Sequence, residues 1–435
     1  MLLWPHSIIA SDQVEASLRT EMTVDRFTLP AVAEPIPKLK VALVHEWLYT
    51  YAGAEKVLEV MLSEFPDADV FSLIDRMPQQ HRAGLKGKTI RTTFLQKIPF
   101  VQLIYRRLLP LMPFAIEQLD LSGYDIVISN SHAVAKGVIT CARQLHICYC
   151  YTPMRYAWDL QEQYLKESGI AWGIRSVLAR YFLHRIRLWD HSSAQHVDDF
   201  IACSAYIARR IQKVYRRDAT VIYPNVDTNS FVIGGKREQF YFCSSRMVPY
   251  KKMHLIVEAF AKMPNRRLIM IGAGPQFKRI KKLATPNVTL LGYQPFPVLL
   301  DHLQRARAFI FAAEEDFGIA PLEAQACGTP VLAFGRGGAQ ETVINGRTGL
   351  HFYEQTAEAI IDVVERFEAL GAEMDPETVR RHALRFSTER FRREFTDFVL
   401  THWAQHAAEA AKTTLQPIRV QDRPVLSAAT LAVGV

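Results

Sequence analysis

The chain has no run of about 18 consecutive apolar residues, the length a membrane-spanning helix requires. It also has no GxSxG, no Walker GxxxxGK(S/T) and no HExxH. These absences set aside nucleophile-elbow hydrolases, P-loop nucleotide hydrolysis and HExxH metalloproteases. Cysteine is sparse: Cys141, Cys148, Cys150, Cys203, Cys243 and Cys327 form no CxxC pair and no zinc-type spacing with histidine. They are expected to be reduced, mostly buried thiols, as in a cytoplasmic protein. The opening MLLWPHSIIA lacks a basic segment, and Asp12 and Glu15 soon follow, so it does not read as a signal peptide. There is no internal repeat and no basic–aromatic module of the kinds that bind nucleic acid, so no nucleic-acid partner is expected.

What is present is a long, mildly basic chain. At 435 residues it exceeds one ordinary core and calls for about two domains. A formal charge of +8 favours anionic partners such as phosphates or an acidic membrane surface. Residues 1–37, with Pro30, Pro35 and Pro37 near their end, are expected to form a flexible leader, with Met22 as a second candidate start. The Ala/Thr/Pro-rich segment 413–435 lacks periodicity and is expected to be disordered. Between them, short apolar or β-branched runs alternate with helical patterns, which predicts an α/β protein with parallel sheets. Predicted strands in the first half are 40–45, 69–73, 125–130, 146–152, 200–204 and 220–224. In the second half they are 240–246, 267–272, 288–292, 308–313, 331–334 and 349–353. These make two Rossmann-like sets, joined by the exposed linker YPNVDTNSFVIGGKREQ. The segment KIPFVQLIYRRLLPLMPFAIEQ (97–118) is apolar around Arg106 and Arg107; it suits either ordinary helix packing or contact with lipid headgroups.

Chemistry is concentrated in EEDFGIAPLEAQACGTPVLAFGRGG (314–338). A strand ending near Ala313 puts Glu315 just past its carboxyl edge, where open α/β sheets bind ligands. Pro321 fits the first turn of a helix closed by Gly328 and Pro330, so DFGIA presents free N–H groups at a helix N-terminus, suited to an anion. Glu323 lies one turn into that helix, where it would equally serve the helix dipole. In SSRMVPYKKMHLIVEAF (244–260), Arg246 and Lys251 can point at one anion over a sheet edge, as a planar fork and a point charge. IGAGPQF (271–277) supplies a glycine turn at Gly272 without completing a dinucleotide fingerprint. In the first half, HEWLYTYAGAEKVLEV (45–60) passes from strand to helix through Gly53, which permits close approach of backbone to phosphate or sugar. SNSHAVAKGV (129–138) places His132 and Lys136 a turn apart, and YTPMRYAWD (151–159) offers the polar–aromatic set Arg155, Tyr156, Trp158 and Asp159, suited to carbohydrate. Packing roles are open for each of these. Asp67-x-Asp69 has the form of a metal-holding pair, but beside Pro66 and ahead of a strand it reads as a solvated turn.

Taken together, these motifs resemble the retaining family-four glycosyltransferases over about residues 38–407, most strongly over 240–352. The resemblance implies a GT-B fold, two Rossmann-like domains facing a central cleft. It implies an acceptor-side domain (38–228), a donor domain (229–386) and a helix (387–412) crossing back to the first domain. Glu315 and Glu323 match the family's glutamate pair, and Arg246 and Lys251 its cation pair. By that match Arg246 and Lys251 would bind the donor diphosphate, Glu315 and the Phe317, Gly318 and Ile319 backbone the donor sugar, and Glu323 the ribose hydroxyls. Gly292 and Tyr293 would sit by the nucleobase, with Gly53 and Gly272 also on the donor side. His132 joins Glu315, Arg246 and Lys251 as a catalytic candidate; Arg155, Tyr156, Trp158 and Asp159 would face the acceptor. No metal and no cofactor are implied beyond the nucleotide-sugar co-substrate. HEWL, GAEKV, YRRLLPLMP and YTPMRYAWD look more narrowly like bacterial O-antigen and exopolysaccharide mannosyltransferases. Implied there are a GDP-mannose donor, a polyprenyl-diphosphate-linked glycan acceptor and a cytoplasmic enzyme at the inner membrane surface. Tyr151 stands where that subgroup is expected to carry histidine, and Ala52 where a second glycine is common. A sugar-nucleotide epimerase of the same fold and a non-catalytic glycan-binding protein are the alternatives.

Overall fold

A computed structural model describes residues 39–49, 51–85, 87–370 and 374–415. The expected leader lies outside the described residues, as does the expected tail beyond residue 415. Residues 413–415 belong instead to the end of a long helix, Thr388–Leu415.

Seven strands form the first sheet: β1 (Val41–His45), β2 (Asp69–Ser72), β3 (Ile90–Thr92), β4 (Ile126–Ser131), β5 (Leu145–Cys150), β6 (Asp199–Ala202) and β7 (Thr220–Val221). Six form the second: β8 (Phe240–Ser244), β9 (Arg267–Ile271), β10 (Val288–Leu290), β11 (Ala308–Phe311), β12 (Val331–Phe334) and β13 (Gly349–Phe352). Their orders are β3-β2-β1-β4-β5-β6-β7 and β10-β9-β8-β11-β12-β13. Every pairing between these strands is parallel. The central strands β1, β4 and β5 are buried along their whole length, which is what helices on both faces of a parallel sheet require and why these strands read as nearly continuous apolar runs.

The strand order fixes where ligands go. In each sheet the direction of winding reverses at the centre, between β1 and β4 in the first and between β8 and β11 in the second. At such a switch point, the loops leaving the two carboxyl ends diverge and open a crevice. The crevice loops are therefore 46–52 and 132–134 in one half, 245–252 and 312–318 in the other.

β3 is absent from the sequence expectation. It is a three-residue edge strand whose Arg91 is exposed, too short and polar to show an alternating pattern. The strand expected at 146–152 begins at Leu145 and stops at Cys150, and the one expected at 220–224 stops at Val221, ahead of Pro224. The 97–118 segment breaks into short α and 3-10 turns around Pro110 and Pro113. Val101, Met112, Ala115 and Ile116 pack inward there, while Arg106 and Arg107 remain exposed. The closing helix lies against the first sheet and the Gly53–Glu64 helix. Phe391 and Phe395 stack together and meet Tyr149 edge-on, Phe65 meets Phe395, and Arg392 pairs with Glu64 at 2.5 Å.

Candidate functional site

At the second switch point the Ile319–Ala326 helix begins right after the β11 loop. Gly318 caps its N-terminus at φ +91°, a left-handed conformation that L side chains rarely adopt. Glu315 precedes it, fixed by a bridge to Gly337 and by its carbonyl accepting the Gly338 N–H at 2.7 Å. The Glu315 carboxylate meets the ammonium of Lys251, which arrives on the 3-10 turn after β8. Arg246, at the start of the same loop, is exposed and touches the Tyr250 hydroxyl at 3.5 Å. Burial, then the positive charges of Arg246 and Arg155, push Lys251 down to about 7, against the pull of Asp316. Two residues proposed as a diphosphate clamp therefore share one small volume with a carboxylate. Phe317 is turned inward, stacking on Tyr223 and meeting the tilted Phe386 ring, which leaves its backbone, not its ring, on the site side. Gly272 donates its N–H to the Gly292 carbonyl at 2.8 Å, so those two turns adjoin, and Tyr293 projects outward with 75% exposure.

In the first half, the candidate residues divide. His132 follows β4 with its ring edge-on to Trp47 at 4.8 Å; burial holds it below the usual imidazole range although Glu46 and Glu55 oppose this. Lys136 is not beside it in function: it is buried, ion-paired with Asp190 and set against the Trp189 and Tyr215 rings. The acceptor-side set is also split. Trp158 donates its indole N–H to buried Asp190 at 2.7 Å, and Asp159 pairs with Arg210, so neither presents its polar group to the crevice alone. Arg155 instead crosses to the second half, where it pairs with Asp316 at 2.7 Å and lies over the Tyr250 ring. Its positive charge disfavours the protonated forms of both His132 and Lys251. Tyr156 packs against Tyr164. Tyr151 donates to the Ala54 carbonyl at 3.4 Å, and Ala52 donates its N–H to Glu55 at 2.9 Å, so both departures from the subgroup pattern bear on the Gly53 turn. Asp69 is held by Tyr124 at 2.5 Å and Arg91 at 3.3 Å.

Residues 51–230 match the family described as Glycosyltransferase Family 4, and residues 226–381 match Glycosyl transferases group 1. The two matches adjoin and between them take in the crevice loops 132–134, 245–252 and 312–318, while the 46–52 loop lies mostly ahead of the first match. The chain is a family-four glycosyltransferase. One relative of this glycosyltransferase is the GDP-mannose-dependent monoacylated alpha-(1-6)-phosphatidylinositol monomannoside mannosyltransferase of Corynebacterium glutamicum. It is 34% identical over 152 residues, covering 30% of this chain and 40% of that protein. A D-inositol 3-phosphate glycosyltransferase of Mycobacterium leprae is 28% identical over 250 residues, covering 49% of this chain and 58% of that one. The matched region thus spans about half the length of these curated relatives. The fold is that of Anabaena HepE, solved in complex with UDP, at TM-score 0.61, 17% identity and 83% and 100% coverage of the two chains. It is also that of a sucrose-phosphate synthase from Thermosynechococcus elongatus, at TM-score 0.64, 17% identity and 84% and 100% coverage. The two Rossmann-like domains are the GT-B pair.

Several residues that hold the glycosyltransferase's two halves together escaped sequence reasoning. Lys56 reaches across to Glu323 at 3.1 Å, and the Gly53 backbone lies so close to Ile319 that a Cβ there would sit 2.7 Å from its Cδ1. Glu341 accepts the N–H groups of Ala205 and Tyr206 at 2.8 and 2.7 Å and the Tyr223 hydroxyl at 3.1 Å. Burial and then Glu314 push the Tyr206 phenol up to about 12, keeping it a donor to Glu314 at 3.1 Å. The only local hints were the lysine after Glu55 and the acid before Glu315. A ligand that binds Glu323 must displace or share Lys56, whose half-exposed pair is worth roughly 0.2–1 kcal/mol. Lys56→Ala is therefore expected to strengthen nucleotide binding by about two- to fivefold in calorimetry. A weakened affinity would mean that Lys56 itself touches the nucleotide.

Proposed function

We propose that the enzyme transfers a hexose, with mannose from GDP-mannose the favoured donor, to a growing lipid-linked glycan in surface-polysaccharide synthesis. The observation carrying this reading is the meeting of Lys251 with Glu315, with Arg246 on the same loop and Glu323 one turn along the adjacent helix. A diphosphate would sit between Arg246, Lys251 and the N-terminus of the Ile319–Ala326 helix. Glu323 would take the ribose hydroxyls, and Glu315 with the backbone of Phe317, Gly318 and Ile319 would orient the hexose. Gly292 and Tyr293 would border the base. Transfer breaks the bond from anomeric carbon to diphosphate oxygen and forms one to the acceptor oxygen, whose proton passes to the departing diphosphate. Attack from the same face retains configuration and uses no protein nucleophile. Charge on the leaving group is met by the two cations and helix N–H groups, with no metal required. Arg155 and His132 line the acceptor approach. Support for the donor sugar comes from the mannosyltransferase relatives. Support for a cytoplasmic enzyme working at the inner membrane surface comes from the net positive charge. Among the described residues no helix is long and apolar enough to cross a membrane.

Calorimetric titration of GDP, UDP and their mannose and glucose conjugates, with and without EDTA, tests this reading. GDP and GDP-mannose are expected to bind equally well in EDTA. Glu323→Ala is expected to weaken binding by roughly 10- to 100-fold, the loss of charge-assisted hydrogen bonds to a diol. Binding of UDP alone would replace the donor assignment, and a requirement for a divalent cation would refute the metal-free scheme. Altered sugar released without acceptor consumption would identify an epimerase.

A further inference from the structure

The Ile174–Ser193 helix buries only Ser176, Ile186, Asp190 and Ser193. Its apolar residues mostly face out: Ile174 is 73% exposed, and Val177, Leu178, Tyr181, Phe182 and Leu188 are exposed with it. At 3.6 residues per turn these six fall in one sector, opposite the buried face. Trp172, one residue before the helix cap, is 90% exposed. Arg175 and His184 flank the stripe and Arg185 lies within it, while no aspartate or glutamate occurs from 168 to 189. Leu183, Ile186 and Trp189 of this helix pack on the same core as Tyr105, Leu108 and Leu109 of the 97–118 segment. That segment adds Phe100 at 70% and Leu103 at 76% exposure, beside exposed Arg106 and Arg107.

We propose that Trp172 and the outer stripe of the Ile174–Ser193 helix, with Phe100 and Leu103, form the surface by which the enzyme docks on an anionic lipid bilayer. This rests on the membrane-bound acceptor of the preceding reading and says where the chain meets that membrane. An apolar stripe edged by arginines, with an exposed tryptophan at its end, matches the headgroup–acyl boundary, where rings and aliphatic side chains enter and guanidinium groups meet lipid phosphate. A second copy of the chain fits poorly. A two-fold interface along the stripe would bring the arginines of one copy toward those of the other, with no acid within the stripe to pair them.

Flotation of the full chain with vesicles of phosphatidylethanolamine and phosphatidylglycerol, against neutral phosphatidylcholine vesicles, tests the proposal. Binding to the anionic vesicles is expected, with a blue-shifted tryptophan emission that shrinks in Trp172→Phe. Leu178→Glu/Tyr181→Glu is expected to lower partitioning more than tenfold, and Arg175→Glu/Arg185→Glu to lower it comparably, since each juxtamembrane arginine contributes roughly fivefold. Nucleotide binding measured on the same variants should be unchanged, because none of these residues lies at the donor site. The proposal is overturned if the wild-type chain ignores anionic vesicles, or if the variants float as well as it does. It is equally overturned if sedimentation shows a dimer that the variants abolish. Loss of nucleotide binding in a wild-type chain that still floats would sink the transferase reading and leave this surface standing.

Discussion

Lys251→Ala is expected to reduce kcat/KM for the nucleotide sugar by about 100- to 1000-fold, the scale seen when one preorganised donor to a developing anion is removed. The ammonium is nearly buried, meets Glu315, and feels Arg246 and Arg155. Burial and these like charges have already driven it down to about 7, so near neutral pH the empty enzyme holds a lysine that is only partly protonated. A diphosphate bound at the proposed site would reverse that balance, because its negative charge favours the protonated form. The sign follows directly. Above pH about 7, the free enzyme has lost the proton that the complex needs. Binding must then take up a proton, and affinity must fall as pH rises, approaching tenfold per unit. Titration of nucleoside diphosphate at pH 8 in two buffers of different ionisation enthalpy should show uptake approaching one proton. Lys251→Met should abolish that uptake. Proton uptake that survives in Lys251→Met, or full transfer activity in Lys251→Ala, would remove Lys251 from the diphosphate site. Arg246, being exposed, is expected to contribute less: roughly tenfold in affinity, with steeper salt dependence.

Twelve of the thirteen strands among the described residues were legible because a strand in a parallel sheet must be apolar on both faces, a property local to five or six residues. The short polar edge strand Ile90–Thr92 lacks it and was missed. The grouping of the candidate donor-side residues in space was legible for a related reason. Glu315, Glu323 and Gly318 lie along one loop and one helix, and Arg246 and Lys251 along another, so spacing in sequence maps onto spacing in space. What spacing hides is contact between distant segments. Lys56 and Glu323 are 267 residues apart, and Ala205 and Glu341 136 apart, and nothing in either neighbourhood names the other. The same limit separated Lys136 from His132. A turn's spacing suggested a shared face, but the buried Asp190, supplied by a helix far along the chain, draws the lysine inward. Trp158 is turned by the same aspartate. A buried carboxylate collects every donor within reach, and its position shows only in three dimensions.

Glu46→Ala is expected to be among the most damaging single changes in the first domain, costing on the order of 3–5 kcal/mol. HEWL was legible as a motif, yet the work of its glutamate was not. Glu46 is fully buried after β1. One oxygen accepts from the Ser131 hydroxyl at 3.0 Å and from the N–H groups of His132 and Ala133 at 2.9 and 2.6 Å. The other accepts from the N–H groups of Val134 and Ala135 at 2.9 and 3.1 Å. Burial alone would push the carboxyl up, but the nearby His132 and the N–H groups of Val134, Ala135 and Ala133 more than offset it and hold the group below its ordinary range. Removing the side chain strands four backbone N–H groups in a dry turn, each costing about 1–3 kcal/mol if water cannot reach it. Glu46→Gln keeps one acceptor oxygen but turns an NH2 toward two of those donors, so an intermediate loss of about 2–3 kcal/mol is expected. Because the folded-state carboxyl titrates below its unfolded value, its contribution is present above the unfolded pKa and is lost as pH falls through the lower folded one. The denaturant midpoint of wild type should therefore drop in that acid window, and the Glu46→Gln midpoint should drop less. The same turn carries His132 at the crevice edge, whereas the proposed donor residues lie in the other domain. Transfer in Glu46→Gln should accordingly fall further than nucleotide affinity. A Glu46→Ala protein within 1 kcal/mol of wild type in urea unfolding would show that water fills the turn and that the carboxylate is not what shapes it.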